Sequence, residues 1–186
     1  MKKFELTTEF ITNAFGKKLF RIKALVEFGD VKAGELGGYV EKEENVSQDG
    51  NAWVSGDARV YGNAWVHGNA KVYDDAWVSD NAKVFDNAEV YGNARVSGDA
   101  RVSGNAWVYG DADYALVQGF GTEFRCTTFY RGKNKKIMVN CGCFHGDLEG
   151  FRKQVKETRN GKIAKEYLMI ADLMEYHFTS EDSSDE

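Results

Sequence analysis

The chain has 186 residues, of which 42% are hydrophobic and 28% charged, and its net charge is −5; this composition is that of an ordinary folded protein and excludes wholesale disorder. Twenty glycines with no proline exclude proline-rich linkers and a collagen repeat, and no apolar run approaches the roughly 20 residues of a membrane span. The opening MKKFELTTEF lacks the apolar core of a signal peptide, and three cysteines, an odd number, fit reduced thiols in a cytoplasmic setting.

Residues 1–48 read as a β-rich cap. Phe4 to Ile11 and Lys18 to Val26 predict two strands across a turn at Asn13–Gly16. In GELGGYVEKEENVSQDG, Val40 and Val46 stand six residues apart, but Val54 comes eight residues after Val46. The spacing predicts one irregular capping coil with a two-residue excursion.

Residues 49–113 are a repeat. Valine recurs every six residues from Val54 to Val108, and an alanine precedes each by two, from Ala52 to Ala106. Ala-x-Val is a short strand with both named side chains on one face. Gly-Asn, Gly-Asp, Asp-Asp or Asp-Asn follows at each corner, where left-handed backbone angles are needed. Three six-residue sides make an 18-residue triangular coil, so the predicted fold is an all-β solenoid of the hexapeptide β-helix kind. Such coils bury their valines only by stacking, and both ends require caps.

Residues 114–180 predict a small α+β unit of ββαα order. Glu123–Tyr130 and Lys136–Cys143 read as strands joined by a turn at Arg131-Gly-Lys-Asn-Lys. Asp147 is a candidate cap for a helix to about Thr158, and Asn160-Gly161 breaks the chain before a second helix at about 162–178. There Ile163, Tyr167, Ile170, Met174 and Phe178 form an apolar stripe flanked by Leu173, with Leu168 and Met169 on the far side. The acidic stretch 181–186 is expected to be disordered. Residues 49–113 carry ten acidic and five basic side chains, for −5, whereas 114–180 carry eleven basic and seven acidic, for +4. That asymmetry hints at a charged partner but falls short of a nucleic-acid footprint.

Candidate chemistry is sparse. His67 is the solenoid's one histidine and follows Val66 onto an outer surface; hexapeptide acyltransferases place a basic histidine near an inter-subunit cleft and usually interrupt the coil with a loop, and nothing interrupts Ala52–Ala112. No catalytic residue is assigned. A carbonic-anhydrase-like site needs three histidine ligands, and His67, His145 and His177 lie in separate segments. Cys141, Cys143 and His145 alternate, so on a continuing strand they would face one side, with Cys126 approaching from the partner strand as a fourth zinc ligand. Reduced core cysteines fit the Cys-x-Cys spacing better, and neither a metal nor a cofactor is expected. Arg131, Lys133, Lys135 and Lys136 suit a phosphate or an acidic protein surface, or simply a solvated turn that blunts a sheet edge. Asp74, Asp80 and Asp86 replace corner glycines, which turn chemistry explains better than calcium.

The outer faces carry more information, because residues 18 apart stack on one side. The first side presents Trp53, Lys71, Glu89 and Trp107 beside Ser55, Tyr73, Tyr91 and Tyr109. The second presents Arg59, Trp77 and Arg95, and the third Trp65, Lys83 and Arg101 beside His67 and Phe85. Trp53, Tyr73, Tyr91, Trp107 and Tyr109 make the first side the richest in interface-prone residues. They read as a binding or self-association face, or as a ladder that stabilises the coil.

The stretch FRIKALVEFGDVKAGELGGYVEKEENVSQDGNAWV with its GNA-x-V repeats resembles a family of hexapeptide-repeat proteins of phages, prophages and their bacterial hosts. VNCGCFHGDLEGF, followed by an EY-containing helix, resembles a module found behind such repeats. The likeness to the β-helices of acyltransferases implies a left-handed coil, against the usual right-handed rule. The phage-type family has no settled activity, so no catalytic residue is carried over. The solenoid itself is read as the rigid scaffold of a non-enzymatic binding protein with a protein partner or self-association, cytoplasmic, and in the host cytoplasm if phage encoded as the resemblance implies. An inhibitor acting on a host defence protein is one version. The alternatives are an acyltransferase-like enzyme and a structural component of an assembly; nucleic acid and membrane partners are not expected.

Overall fold

The computed structural model describes residues 2–179, and the chain divides into two compact units, Met1–Asp111 and Ala112–Glu186. The acidic stretch 181–186, expected to be disordered, lies outside the described residues.

The first unit opens with β1 (Phe4–Thr12), β2 (Lys18–Ala24) and β3 (Leu36–Val40), paired antiparallel in that order. Ten two-residue strands then recur at six-residue intervals: β4 (Trp53–Val54), β5 (Arg59–Val60), β6 (Trp65–Val66), β7 (Lys71–Val72), β8 (Trp77–Val78), β9 (Lys83–Val84), β10 (Glu89–Val90), β11 (Arg95–Val96), β12 (Arg101–Val102) and β13 (Trp107–Val108). They stack in parallel as β4-β7-β10-β13, β6-β9-β12 and β5-β8-β11, the last sheet continuing into β3, β2 and β1. All the valines from Val54 to Val108 and the alanines from Ala52 to Ala106 are buried. The result is a β-solenoid of about four turns. Each fully buried valine contributes roughly 1.5–3 kcal/mol relative to leaving it in water.

Backbone hydrogen bonds tie each coil to the next: Asn51 N–H donates to the Gly68 carbonyl at 2.8 Å and Trp53 N–H to that of Ala70 at 3.0 Å. Corners turn through positive φ, including Asp74, Asp80 and Asp86 at φ 57–59°. An L-residue pays roughly 1–2 kcal/mol for that conformation, less for Asp because its short side chain can bond to nearby backbone. Here each carboxylate accepts the amide of the corner glycine one coil on, Gly92 at 3.2 Å, Gly98 at 3.0 Å and Gly104 at 3.1 Å.

The N-terminal end shows how the stack is closed. Val40 pairs with Val60, and a bridge joins Val46 to Val66, so both span 20 residues where later rungs span 18. The two extra residues fall between Val46 and Val54. Without a preceding coil, the outward carbonyls of the first rungs need donors. On one side Tyr39 N–H and Glu41 N–H reach the Ala58 and Val60 carbonyls at 2.9 and 3.0 Å. On the other two sides side chains supply donors, joined on one of them by Ser47 N–H, which reaches the Val66 carbonyl at 2.9 Å. The Lys3 ammonium donates to the carbonyls of Gly50 (3.3 Å) and Ala52 (2.9 Å). The Asn45 amide donates to those of Gly62 (3.2 Å) and Ala64 (2.8 Å). Gly37 lies so close to the first coil that a Cβ would stand 2.5 Å from both Ile22 Cγ1 and the Val54 carbonyl oxygen.

The second unit contains four strands where two were expected. β14 (Tyr114–Phe120), β15 (Arg125–Arg131), β16 (Ile137–Cys141) and β17 (Phe144–Asp147) form an antiparallel meander. α1 (Leu148–Thr158) and α2 (Gly161–Thr179) follow. The Asp147 side chain caps α1 by accepting from Gly150 N–H at 2.9 Å; that bond and the Lys136 ammonium hold its carboxyl below the usual range. Phe129, Val139, Phe151, Val155, Tyr167, Ile170, Met174 and Phe178 make the core. Leu168 packs against this core, contrary to its expected place on the far side, whereas Met169 and Leu173 are exposed. Arg152 of α1 clamps α2 through Asp172 and Glu175, each at 2.7 Å.

Lys3 gives the solenoid cap a pH signature. It is 4% exposed, and burial pushes its pKa down from 10.5 to about 8 against the opposing Asp49 charge. The unfolded chain therefore binds more protons between those values, so this group's contribution to stability rises with pH through the window and is flat below it. Urea midpoints of wild type and Lys3→Met, measured from about pH 7.5 to 9.5, should diverge in favour of wild type as pH rises. Parallel curves would show that Lys3 titrates normally.

Candidate functional site

Three outward ladders follow from the 18-residue stacking, and each has a different chemistry. On the first side the structure removes one expected member. Trp53 is 4% exposed, covered edge-on by Phe4 at 6.2 Å and Phe28 at 5.4 Å between ring centroids. The expectation placed it on an open face because the repeat alone does not show that the N-terminal segments fold over it. Lys71, the next rung, pairs with Asp30 at 2.7 Å.

The remaining aromatics are brought together toward the other end of that side. Tyr73 and Tyr91 stack at 4.9 Å and 12°, and Tyr91 lies 5.9 Å from Trp107 and 5.3 Å from Tyr109. Gly92 permits this: a Cβ there would stand 2.7 Å from the Tyr109 ring. Tyr73 donates its hydroxyl to Glu89 at 3.1 Å. Burial, together with that carboxylate, pushes its phenol up to about 12, so it stays a neutral donor. Trp107 and Tyr109 are 43% and 61% exposed. Tyr73 and Tyr91 thus support a projecting Trp107–Tyr109 pair.

The second side alternates cation and ring. The Arg59 and Arg95 guanidinium carbons lie 5.0 and 4.9 Å from the Trp77 ring, and Arg21 lies 5.2 Å from the Tyr39 ring. Register joins these into one column, Arg21, Tyr39, Arg59, Trp77 and Arg95. Sequence reasoning missed its first two members; the signal for Tyr39 was the 20-residue offset of the capping coil, whereas Arg21 joins through the antiparallel pairing of β2 with β3. On the third side His67 is stacked between Trp65 (3.9 Å, 25°) and Phe85 (5.0 Å, 2°). Burial lowers its pKa, and Lys83 adds to this against Asp86. A neutral imidazole gripped between two rings behaves as a rung of the ladder.

In the second unit the proposed ligand set separates. β16 ends at Cys141, the chain turns through Gly142 (φ 61°) and Cys143, and β17 returns with Phe144 opposite Cys141 and His145 opposite Asn140. Cys141, Cys143 and His145 are therefore not on one continuing strand. Thr127 pairs with Cys141 and donates its hydroxyl to the sulfur at 3.1 Å, which puts the adjacent Cys126 on the opposite sheet face. No group of metal-ligating side chains is found among the described residues, and no disulfide joins the three cysteines.

The basic turn is likewise divided. Arg131 pairs with Asp113 at 2.9 Å and lies 5.6 Å from the Phe178 ring, and Lys136 pairs with Asp147 at 3.2 Å. Lys133 and Lys135 remain at the tip, where Lys135 has φ 61°.

Stacked two-residue strands with a repeat-encoded core define a β-solenoid repeat protein. The family model described as the YdcK beta solenoid repeat matches residues 52–68, 88–102 and 94–110, within the coil, and supports a repeat-protein family for this part of the chain. No curated protein matches the sequence. No helix among the described residues is long and apolar enough to cross a membrane.

The divergent thiols lead to a direct expectation. Elemental analysis of purified protein should find less than stoichiometric zinc, unchanged by Cys141→Ser; one zinc per chain, lost in that variant, would require the turn at Gly142–Cys143 to rearrange.

Proposed function

We propose that this is a non-enzymatic binding protein that uses a rigid left-handed hexapeptide β-helix as a scaffold and engages a protein partner through the exposed end of its aromatic ladder. The observation that carries the reading is the cluster of Tyr91, Trp107 and Tyr109, ordered from behind by the Tyr73 stack. Tyrosine and tryptophan on a rigid support provide large contact area with little side-chain entropy to lose, the property that enriches them at binding hot spots. Trp53, buried beneath Phe4 and Phe28, has no part in this surface. The six-residue spacing and the likeness to acyltransferase coils support the left-handed winding. A role for the phage-type resemblance follows naturally: a partner among bacterial defence proteins, met in the host cytoplasm, where unbridged cysteines are at home.

The test is capture from a bacterial lysate on immobilised protein, quantified by mass spectrometry, with sedimentation to follow self-association. Trp107→Ala and Tyr91→Ala should each weaken the recovered interaction about tenfold or more, with circular dichroism and melting near wild type. Normal binding by both variants, together with loss of binding in the Lys133→Glu, Lys135→Glu double variant, would move the contact site to the basic turn and overturn this reading.

A further inference from the structure

On the third side of the solenoid a rung is missing. Trp65, Lys83 and Arg101 stand in one column at successive coils. The bridge from Val46 to Val66 makes Asn45 the residue that would stand before Trp65. Asn45 is fully buried and its amide is engaged by the Gly62 and Ala64 carbonyls, so its side chain is turned inward to close the stack and cannot cover the tryptophan. Immediately afterwards the chain leaves the coil spacing. The vacated position opens as a shallow groove of about 670 Å³ bordered by Trp65, Lys42, Glu44, Ser47, Asn63 and Lys83, within the volume range of small-molecule sites. Trp65 is held in orientation by the His67 ring stacked on it.

The lining selects a chemical class. A fixed indole plane is surrounded by ammonium, amide, hydroxyl and carboxylate groups, donors and acceptors side by side. Positive charge is not concentrated as a phosphate would require: Lys42 and Lys83, the latter's ammonium 6.0 Å from the Trp65 ring centroid, stand against Glu43 and Glu44 in the same wall. Glu43, also in the wall, is paired with Lys2 at 2.7 Å, Lys42 leans on the Asn63 amide oxygen at 3.4 Å, and Glu44 adds a negative group. A neutral saccharide matches: its C–H face lies on the electron-rich indole face, and its ring of hydroxyls both donates to and accepts from the rim. We propose that the groove over Trp65 is a binding site for a neutral di- or oligosaccharide. It is separate from the Trp107–Tyr109 surface and does not depend on the function assigned there.

Indole N–H resonances of the ¹⁵N-labelled full chain, assigned by single Trp→Phe variants, provide the test. Titration uses cellobiose, maltose and N,N′-diacetylchitobiose, with adenosine monophosphate as a charged, planar comparator. At least one disaccharide should move the Trp65 signal saturably and leave Trp53 and Trp107 in place. Trp65→Ala should weaken that binding about tenfold or more, as removal of a central aromatic contact does. Glu44→Ala, altering an exposed wall residue and leaving the ring stack intact, should weaken it several-fold, because the carboxylate accepts a sugar hydroxyl. No response to any of the three disaccharides overturns the proposal, as does saccharide binding that survives Trp65→Ala. A Trp65 shift with the nucleotide that equals or exceeds that with the sugars overturns the saccharide class in favour of an anionic ligand.

Discussion

A coil of this solenoid can neither bury its own valines nor satisfy its own backbone, because the partners for both lie in the coils before and after it. Every other feature of the first unit answers that constraint. Within the stack the answer is repetition: valine on valine, amide to carbonyl, at the roughly 4.8 Å spacing of paired strands. At the N-terminal end repetition stops and specific side chains take over. An ammonium and a carboxamide, from positions 49 and 19 residues away from Ala52 and Ala64, occupy the places of absent amides. A buried charge is thereby accepted to avoid orphaned carbonyls, and it satisfies two of them, as the Asn45 amide does on its side.

The interior is chemically uniform, so whatever distinguishes this solenoid is written outside. Its three sides carry a phenol–indole cluster, an alternating guanidinium–aromatic column and a ring stack containing a histidine. All three arise from the same geometric rule, yet their consequences differ. The arginine column is engaged mostly with itself and the cap. The tyrosine stack leaves its last two rings projecting. The third side is interrupted where a cap residue turns inward. Function on a repeat scaffold is thus a matter of where the ladders end, since a continuous ladder satisfies its own members.

The solenoid was legible because one period organises sixty residues: valine every sixth position admits a single kind of core. The two-residue excursion before Val54 was legible for the same reason. What the period could not show was contact across long separations. Phe4 and Phe28 covering Trp53, and Lys3 reaching Ala52, leave no local pattern. In the second unit α1 was readable from its Asp147 cap, whereas β14 is a near-continuous apolar run without alternation and β17 is only four residues, Phe144 to Asp147; neither carries a period-two signal. Reading Cys141, Cys143 and His145 as one strand failed at Gly142, where the chain reverses. Spacing alone brings Tyr73, Tyr91, Trp107 and Tyr109 together on one side, as the ring contacts show, but it could not show that the cap removes Trp53 from that face.

The three corner aspartates occupy three successive corners, so that each column of corners holds one, between glycines: Gly56, Asp74 and Gly92; Gly62, Asp80 and Gly98; Gly68, Asp86 and Gly104. Since the inward alanines and valines are the same on every side, a nascent chain that docked its cap one side out of step would still stack the same alanine and valine columns. The errors would fall on the side-specific contacts, among them the pocket of Phe4 and Phe28 that receives Trp53. Tyr39, seated on Arg59 in the native register, would meet Trp53 or Trp65 and lose its place in the cation–aromatic column. The outer decoration therefore works as an index mark for winding, and a solenoid stripped of it would keep its core while losing the means to tell one starting point from the next.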